Sequence, residues 1–218
     1  MQILTDRQVV VLKAIGAEKQ LAKYFYLTGG TPLAAFYLGH RLSEDLDFFS
    51  EEEVDPLAIR TFFQIHKKEW GIKKIDTQQS FNRNLFFLHF VDEILKMEFT
   101  YFPFPRIEKG MKKYGITIDS LEDIAVNKVF TIYQRTKARD YIDLYVLCKK
   151  EGFSITDLVK RAQVKFDWYV DPLQLGAQFQ KAREAPDLPR MVEEIAPEVW
   201  QTFFEKEAKK LKTKILRA

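Results

Sequence analysis

Asp45 and Asp47 stand one residue apart in Glu44-Asp45-Leu46-Asp47-Phe48-Phe49, downstream of a glycine pair, Gly29-Gly30, that closes the apolar run Tyr24-Phe25-Tyr26-Leu27. Side chains alternate along a strand, so the two carboxylates project from one face while Leu46 and Phe48 face the other way. Two acids that close repel unless a cation lies between them. Hard divalent ions are held by one or two carboxylates together with substrate phosphates, which makes Mg²⁺, or Mn²⁺, the expected cation. The glycines supply the anion side. Lacking Cβ atoms, Gly29 and Gly30 let a phosphate approach the backbone, and Thr31-Pro32 suits the cap and first turn of a helix whose free N–H groups face the loop. A triphosphate on the glycines beside a metal on the aspartates is the chemistry these residues offer.

Further candidates lie outside this stretch. In Ile94–Phe102, Leu95, Met97, Phe99 and Tyr101 alternate with Ile94, Lys96, Glu98 and Thr100. Glu98 is then a third acid aimed to one side, able to ligate a metal and to deprotonate or orient an attacking hydroxyl. The competing reading pairs it with Lys96 on a solvated edge strand. Arg41 could meet a phosphate or pair with Glu44. Ser43 could orient an aspartate or a nucleotide hydroxyl, or simply occupy a turn. Lys128 falls in an apolar helical line with Leu121, Ala125 and Ile132, where a lysine must snorkel or meet an anion, a bound phosphate being one. In Arg135–Tyr145, Lys137 with Asp140 and Arg139 with Asp143 suit local ion pairs, yet both aspartates share a face among apolar residues, so some of this charge belongs near a core.

The elements that must position these groups read as α+β: a small mixed sheet with flanking helices, then a C-terminal helical domain. A helix is expected from Thr5 to about Leu21, with Thr5 and Gln8 as a capping box. A short helix runs from Pro32 to Leu38, and another follows Asp55-Pro56. Ile72–Gln79 is a strand, and Asn84–Val91 with Ile94–Phe102 form a hairpin around Asp92-Glu93. Past Pro103 and Pro105 the composition shifts, and after Ile116-Thr117-Ile118 only helices follow. That places a catalytic domain over 1–118 and a helical domain over 119–218. The last helix carries Trp200, Phe203, Phe204, Leu211 and Ile215 on its packed side, with Lys206, Lys209, Lys210, Lys212, Lys214 and Arg217 elsewhere, as a solvated face or an RNA-backbone contact.

Composition excludes several classes. With 218 residues, 46% hydrophobic and 14% aromatic, the chain is no disordered linker, and a formal charge of +3 permits nucleic-acid contact without demanding it. No apolar run approaches a membrane span, and the N-terminus lacks a signal-peptide layout. A single cysteine, Cys148, forbids an internal disulfide and suits a reducing, cytoplasmic setting. His40-Arg41 before an aspartate suggests a kinase catalytic loop, but neither a G-x-G-x-x-G loop nor a D-F-G is present. A phosphatase D-x-D would want a small polar residue where Phe48 stands.

Thr28-Gly29-Gly30-Thr31-Pro32-Leu33, His40-Arg41-Leu42-Ser43-Glu44-Asp45-Leu46-Asp47-Phe48, Lys128, and Lys137-Ala138-Arg139-Asp140-Tyr141-Ile142-Asp143-Leu144 together resemble the AbiEii/AbiGii nucleotidyltransferase toxins, of the polymerase-beta-like nucleotidyltransferase fold. The resemblance covers about Tyr24 to Leu147. It implies transfer of a nucleoside monophosphate from an NTP with release of pyrophosphate, RNA and tRNA in particular as an acceptor, and a separate antitoxin protein. It also implies that Asp45 and Asp47 hold Mg²⁺, that Gly29 and Gly30 hold the triphosphate, that Lys128 holds a nucleotide phosphate, and that Asp140 lies close by. Gly30 stands where the wider fold often has serine, and the third acid is Glu98 instead of aspartate. The alternative from a different class is a non-catalytic member that binds nucleotide or RNA, or serves as an interaction module.

Overall fold

The computed structural model describes residues 3–215, with side chains through Leu211. The backbone of Lys212 and Lys214 continues the last helix, but their side chains, and all of Arg217, lie outside the described residues. The chain forms two compact units: 1–32, 43–105 and 110–119 make up one, and 33–42, 106–109 and 120–218 the other. The segment 33–42 therefore groups with the helical part of the chain although it lies between two strands of the sheet unit.

The sheet unit is built on seven strands: β1 (Tyr26–Thr28), β2 (Leu46–Ser50), β3 (Lys74–Ser80), β4 (Arg83–His89), β5 (Ile94–Tyr101), β6 (Lys112–Lys113) and β7 (Ile116–Ile118). Their order is β3-β4-β5-β2-β1-β7-β6. Pairs β2–β5 and β1–β7 are parallel and the others antiparallel, so the sheet is mixed, as expected. β5 lies inside the sheet between β4 and β2. Glu98 is thus not on an edge strand. The hairpin turn is also displaced by one residue from the expected place: Phe90 N donates to Glu93 O at 2.9 Å and His89 pairs with Ile94, so the turn centres on Val91-Asp92 instead of Asp92-Glu93.

One sheet face is sealed by aromatic rings. Phe48 and Phe99 stack with centroids 4.9 Å apart, and Phe25, Phe63 and Phe86 surround Phe99 at 5.1–6.1 Å. Each ring alternates in sequence with a residue of the opposite face, so this packing aims Asp47 and Glu98 away from the core. Large buried rings dominate such cores and make the register costly to slip.

The expected first helix is two: α1 (Asp6–Ala17) and α2 (Lys19–Tyr24), separated where Glu18 turns extended. The Thr5–Gln8 capping box forms as read from the sequence. Gln8 does more than cap, because its Nε2 donates to the carbonyls of Ser43 at 3.4 Å and Glu44 at 2.9 Å, which ties the loop before Asp45 to the helix. α3 (Gly30–Pro32) passes into one π-helical turn, Leu33–Leu38, whose last bond runs from Gly39 N to Ala34 O; Thr31 thus lies inside the helix and is not its cap. α4 (Pro56–His66) begins at the Asp55 cap.

The helical unit contains α5 (Leu121–Gln134), α6 (Ala138–Lys150), α7 (Ile155–Phe166), α8 (Pro172–Gln180) and α9 (Pro197–Ile215). Tyr141, Phe179, Trp200 and Phe204 are fully buried at its centre. The start of α5 is held by Asp123, which accepts from Ser120 Oγ at 2.7 Å, Ile107 N at 2.9 Å, Glu108 N at 3.0 Å and the buried Lys165 Nζ at 2.7 Å. Burial opposes ionisation of Asp123, but these donors outweigh it and hold its carboxyl below the ordinary range. Among the described residues no helix is long and apolar enough to cross a membrane.

Gly16 provides a test of this packing. A Cβ there would lie 1.8 Å from the Tyr114 carbonyl oxygen. Alanine inside a helix ordinarily gains about 0.5–1 kcal/mol over glycine. Gly16→Ala is expected to reverse that sign and lower the urea midpoint, because the obstacle is backbone.

Candidate active site

Register decides what the sheet unit can do. In the parallel β2–β5 pair, Asp47 is the register partner of Glu98, and in the antiparallel β1–β2 pair it is the partner of Thr28. Cross-strand partners share a face, so Asp47 and Glu98 stand side by side. Asp45, one residue ahead of β2, projects to the same side. Lys96 Nζ donates to Asp45 Oδ2 at 2.9 Å, so Lys96 pairs with Asp45 and not with Glu98.

Glu98 finds a different cation. Arg83, at the start of β4, grips it with both arms: Nε to Oε1 at 2.7 Å and Nη2 to Oε2 at 2.6 Å, while Thr100 Oγ1 donates to Oε1 at 2.8 Å. Glu98 is only 7% exposed. Burial pushes its carboxyl up, but Arg83 and then Thr100 win, so the net shift is downward and Glu98 is ionised at neutral pH.

The glycine turn closes against the acids. Gly29 has φ +84, and a Cβ on it would come within 2.9 Å of Asp47 Oδ2, so only glycine gives both the left-handed backbone and the space. Beside it Thr31 Oγ1 lies 2.8 Å from Ser43 Oγ and also bonds the Asp45 carbonyl oxygen. Thr31 and Ser43 therefore pin the backbone that carries Asp45. Thr28 Oγ1 donates to the buried Asp119 at 2.7 Å, which fixes the strand end next to Gly29. The sheet unit thus carries Gly29, Gly30, Thr31, Ser43, Asp45, Asp47 and Glu98, with Asp47 and Glu98 neighbours in register, but among the described residues no three acids gather closely enough to hold a metal ion.

The other expected residues belong to the helical unit. Asp143, fully buried on α6, accepts from Arg41 Nε at 2.6 Å and Nη2 at 2.8 Å, from His40 Nε2 at 2.7 Å, and from Lys128 Nζ at 2.6 Å. Lys128 also donates to Asp140 Oδ1 at 2.7 Å, and Arg135 Nε donates to Asp140 Oδ2 at 3.0 Å. The anion that Lys128 meets here is thus a pair of aspartates from its own unit, and Arg41 answers Asp143 with a two-armed pair. Burial works against both acids, but Arg41 and Lys128 hold Asp143 well below the ordinary range, and Lys128 and Arg135 lower Asp140. Lys137 stands apart from this cluster and pairs with Asp187. The local pairs Lys137–Asp140 and Arg139–Asp143 are replaced by these longer-range ones. Burial and Glu207 push the Cys148 thiol up to about 12, so it is no nucleophile.

Arg83 and Lys165 are partners that sequence patterns alone do not reveal. A signal existed for Arg83: once the hairpin turn is placed at Val91-Asp92, it falls opposite Thr100 and diagonal to Glu98. For Asp143 the signal was an acid on a helix face otherwise apolar.

Comparison with known proteins matches residues 11–214 to the family described as nucleotidyl transferase AbiEii toxin, type IV toxin–antitoxin system. The Aquifex aeolicus (strain VF5) protein aq_aa25 is 32% identical over 195 residues, 85% of this chain and 86% of that one. Among solved structures, JHP933 from Helicobacter pylori superposes with TM-score 0.57 at 23% identity, covering 98% of this chain and 95% of that chain. The nucleotidyltransferase toxin MenT4 of Mycobacterium tuberculosis H37Rv gives 0.56 at 16%, covering 94% and 82%. These likenesses establish the fold.

Two outcomes follow from the buried charges. Asp143→Asn removes the charge that Arg41 grips with two arms and leaves Lys128 with Asp140 as its remaining acid, and is expected to cost about 3–5 kcal/mol in urea unfolding at pH 7. Since the folded pKa of Asp143 is depressed, its contribution is present above the unfolded value near ~3.9 and fades as pH falls through the folded value. The variant's deficit should accordingly shrink in acid. Lys128→Ala separates two roles: a fall in thermal midpoint marks a structural lysine, whereas a raised NTP KM at unchanged midpoint marks a phosphate ligand.

Proposed function

Since the chain belongs to the AbiEii nucleotidyl transferase toxin family of type IV toxin–antitoxin systems, we propose that it is a Mg²⁺-dependent transferase that moves a nucleoside monophosphate from an NTP to an RNA acceptor, tRNA foremost. The observation that carries the reading is the pairing of Asp47 with Glu98 on one face, beside a glycine whose missing side chain makes room for the Asp47 carboxylate.

The donor set suits the metal. Asp45, Asp47 and Glu98 offer only hard carboxylate oxygens, and to hold a metal together Asp45 and Glu98 must turn from Lys96 and Arg83, which engage them in this structure. Bound there, Mg²⁺ would offset charge on the phosphates of the NTP and favour attack at the α-phosphorus. Gly29 and Gly30 leave their backbone open to the triphosphate. Thr31 and Ser43 hold Asp45 in place. Glu98, ionised at neutral pH, accepts the proton of the acceptor hydroxyl once Arg83 yields an oxygen, as the new O–P bond forms and pyrophosphate leaves. Arg41, Lys128 and Asp140 we read as the frame of the helical unit, with Lys137 on its surface. A cognate antitoxin protein and a cytoplasmic setting complete the reading, the latter supported by the single, unreactive cysteine.

Incubation of purified protein with each α-labelled NTP, Mg²⁺ and total RNA should move label to RNA, and Asp45→Ala or Asp47→Ala should abolish it. Nucleotide binding without transfer to any RNA would favour a binding role instead. If Glu98 is the proton acceptor, Arg83→Gln removes the cation that depresses it and moves the acidic limb of kcat/KM to higher pH. An unmoved limb would assign the proton to another group.

A further inference from the structure

Phe81 sits at the first central position of the two-residue turn that joins β3 to β4, between the paired residues Ser80 and Arg83. Its φ is +51, and its side chain is 98% exposed. Positive φ in such a turn is ordinarily supplied by Gly, Asn or Asp, and a bulky residue there is a genuine outlier. The ring is exposed, so packing within the chain does not compensate the strain. Strain held at an exposed tip points to function.

The turn is not loose. Asn82 Nδ2 donates to the Tyr101 carbonyl at 2.6 Å, and Tyr101 N donates to the Asn82 carbonyl at 3.0 Å, so the tip is bolted to the end of β5. The next residue is Arg83, which holds Glu98 through Nε and Nη2 and leaves Nη1 outside that clasp. At ~3.4 Å per residue the tip lies about 14 Å along the chain from Leu85, the residue opposite Glu98. An exposed ring on a tethered turn therefore stands at the end of the two strands that carry the third acid and its arginine, within one unit.

Its surroundings select the partner. From Thr77 to Arg83 the sequence is Thr-Gln-Gln-Ser-Phe-Asn-Arg, with no acid and one cation, so the turn itself does not repel a phosphate chain; the acidic run Glu51-Glu52-Glu53 follows Ser50 on β2, one strand beyond the Tyr101 to which the tip is bonded. Between Lys74 and Phe90 Phe81 alone is an exposed large apolar side chain among the described residues. A lone ring among amides is too small for the apolar centre of a protein interface. It fits a nucleobase, which stacks on an aromatic face whatever its sequence while a nearby guanidinium meets the phosphate.

We infer that Phe81 is a stacking platform for a base of the acceptor RNA, placed on the β3–β4 turn so that the strand runs toward Glu98. This rests on the RNA-acceptor reading above and adds the residue that grips the acceptor. The test uses the full chain, a short fluorescein-labelled single-stranded oligoribonucleotide, and the label-transfer assay. Phe81→Asn relieves the backbone and should leave the thermal midpoint unchanged or higher. It should weaken oligonucleotide binding and raise the acceptor KM roughly 5- to 100-fold, with the NTP KM unmoved. Phe81→Trp should keep affinity and show indole quenching on titration with the oligonucleotide. If wild type transfers label and Phe81→Asn matches it in acceptor KM and binding, the platform is wrong and the acceptor reading stands. If wild type labels no RNA, the acceptor reading fails and takes the platform with it. Normal RNA handling by Phe81→Asn with loss of a protein partner would overturn the assignment in favour of that partner.

Discussion

Carboxylates that share a sheet face in adjacent strands repel each other across roughly 5 Å, and the sheet unit is arranged around satisfying that repulsion. Lys96 answers Asp45 and Arg83 answers Glu98. Both cations are on the same sheet as the acids, so the face is balanced as the chain folds. The aromatic layer on the reverse side makes the arrangement obligatory, since turning Glu98 away would require Phe99 to leave its stack on Phe48.

The helical unit solves the same problem differently. Asp143 is buried, and three donors from separate positions, His40, Arg41 and Lys128, converge on it. A buried ion pair adds little net stability, but removing one member is costly. Such a network pins the segment 40–42 to α6 and α5. It also explains why 33–42 groups with this unit: Arg41 and Leu42 meet Met191 and Arg190 as a short bridge, and His40 O accepts from Val192 N. The chain thus leaves the sheet after the glycine turn, visits the helical unit, and returns at Ser43, immediately ahead of the aspartates.

Much of this is legible in the sequence. The Thr5–Gln8 box, the Asp55-Pro56 helix start, the alternation in β5 and the common face of Asp45 and Asp47 are local patterns, fixed within a few residues of chain. Where structure and expectation part, a longer range intervenes. The hairpin turns at Val91-Asp92, one residue earlier than expected, which shifts the partner of Glu98 and hides Arg83. Helix phase puts Asp140 and Asp143 together among apolar neighbours, but phase says nothing about which cations approach.

Sequence alone determined the inventory: which side chains carry charge, which alternate, and where glycine frees the backbone, because those follow from covalent chemistry and the periods of helix and strand. Tertiary structure decided the pairings. Lys96 took Asp45, Arg83 took Glu98, and Asp143 claimed both Arg41 and Lys128, since a buried charge accepts whichever partner the packed backbone delivers. Neighbours in sequence have no privilege in that choice.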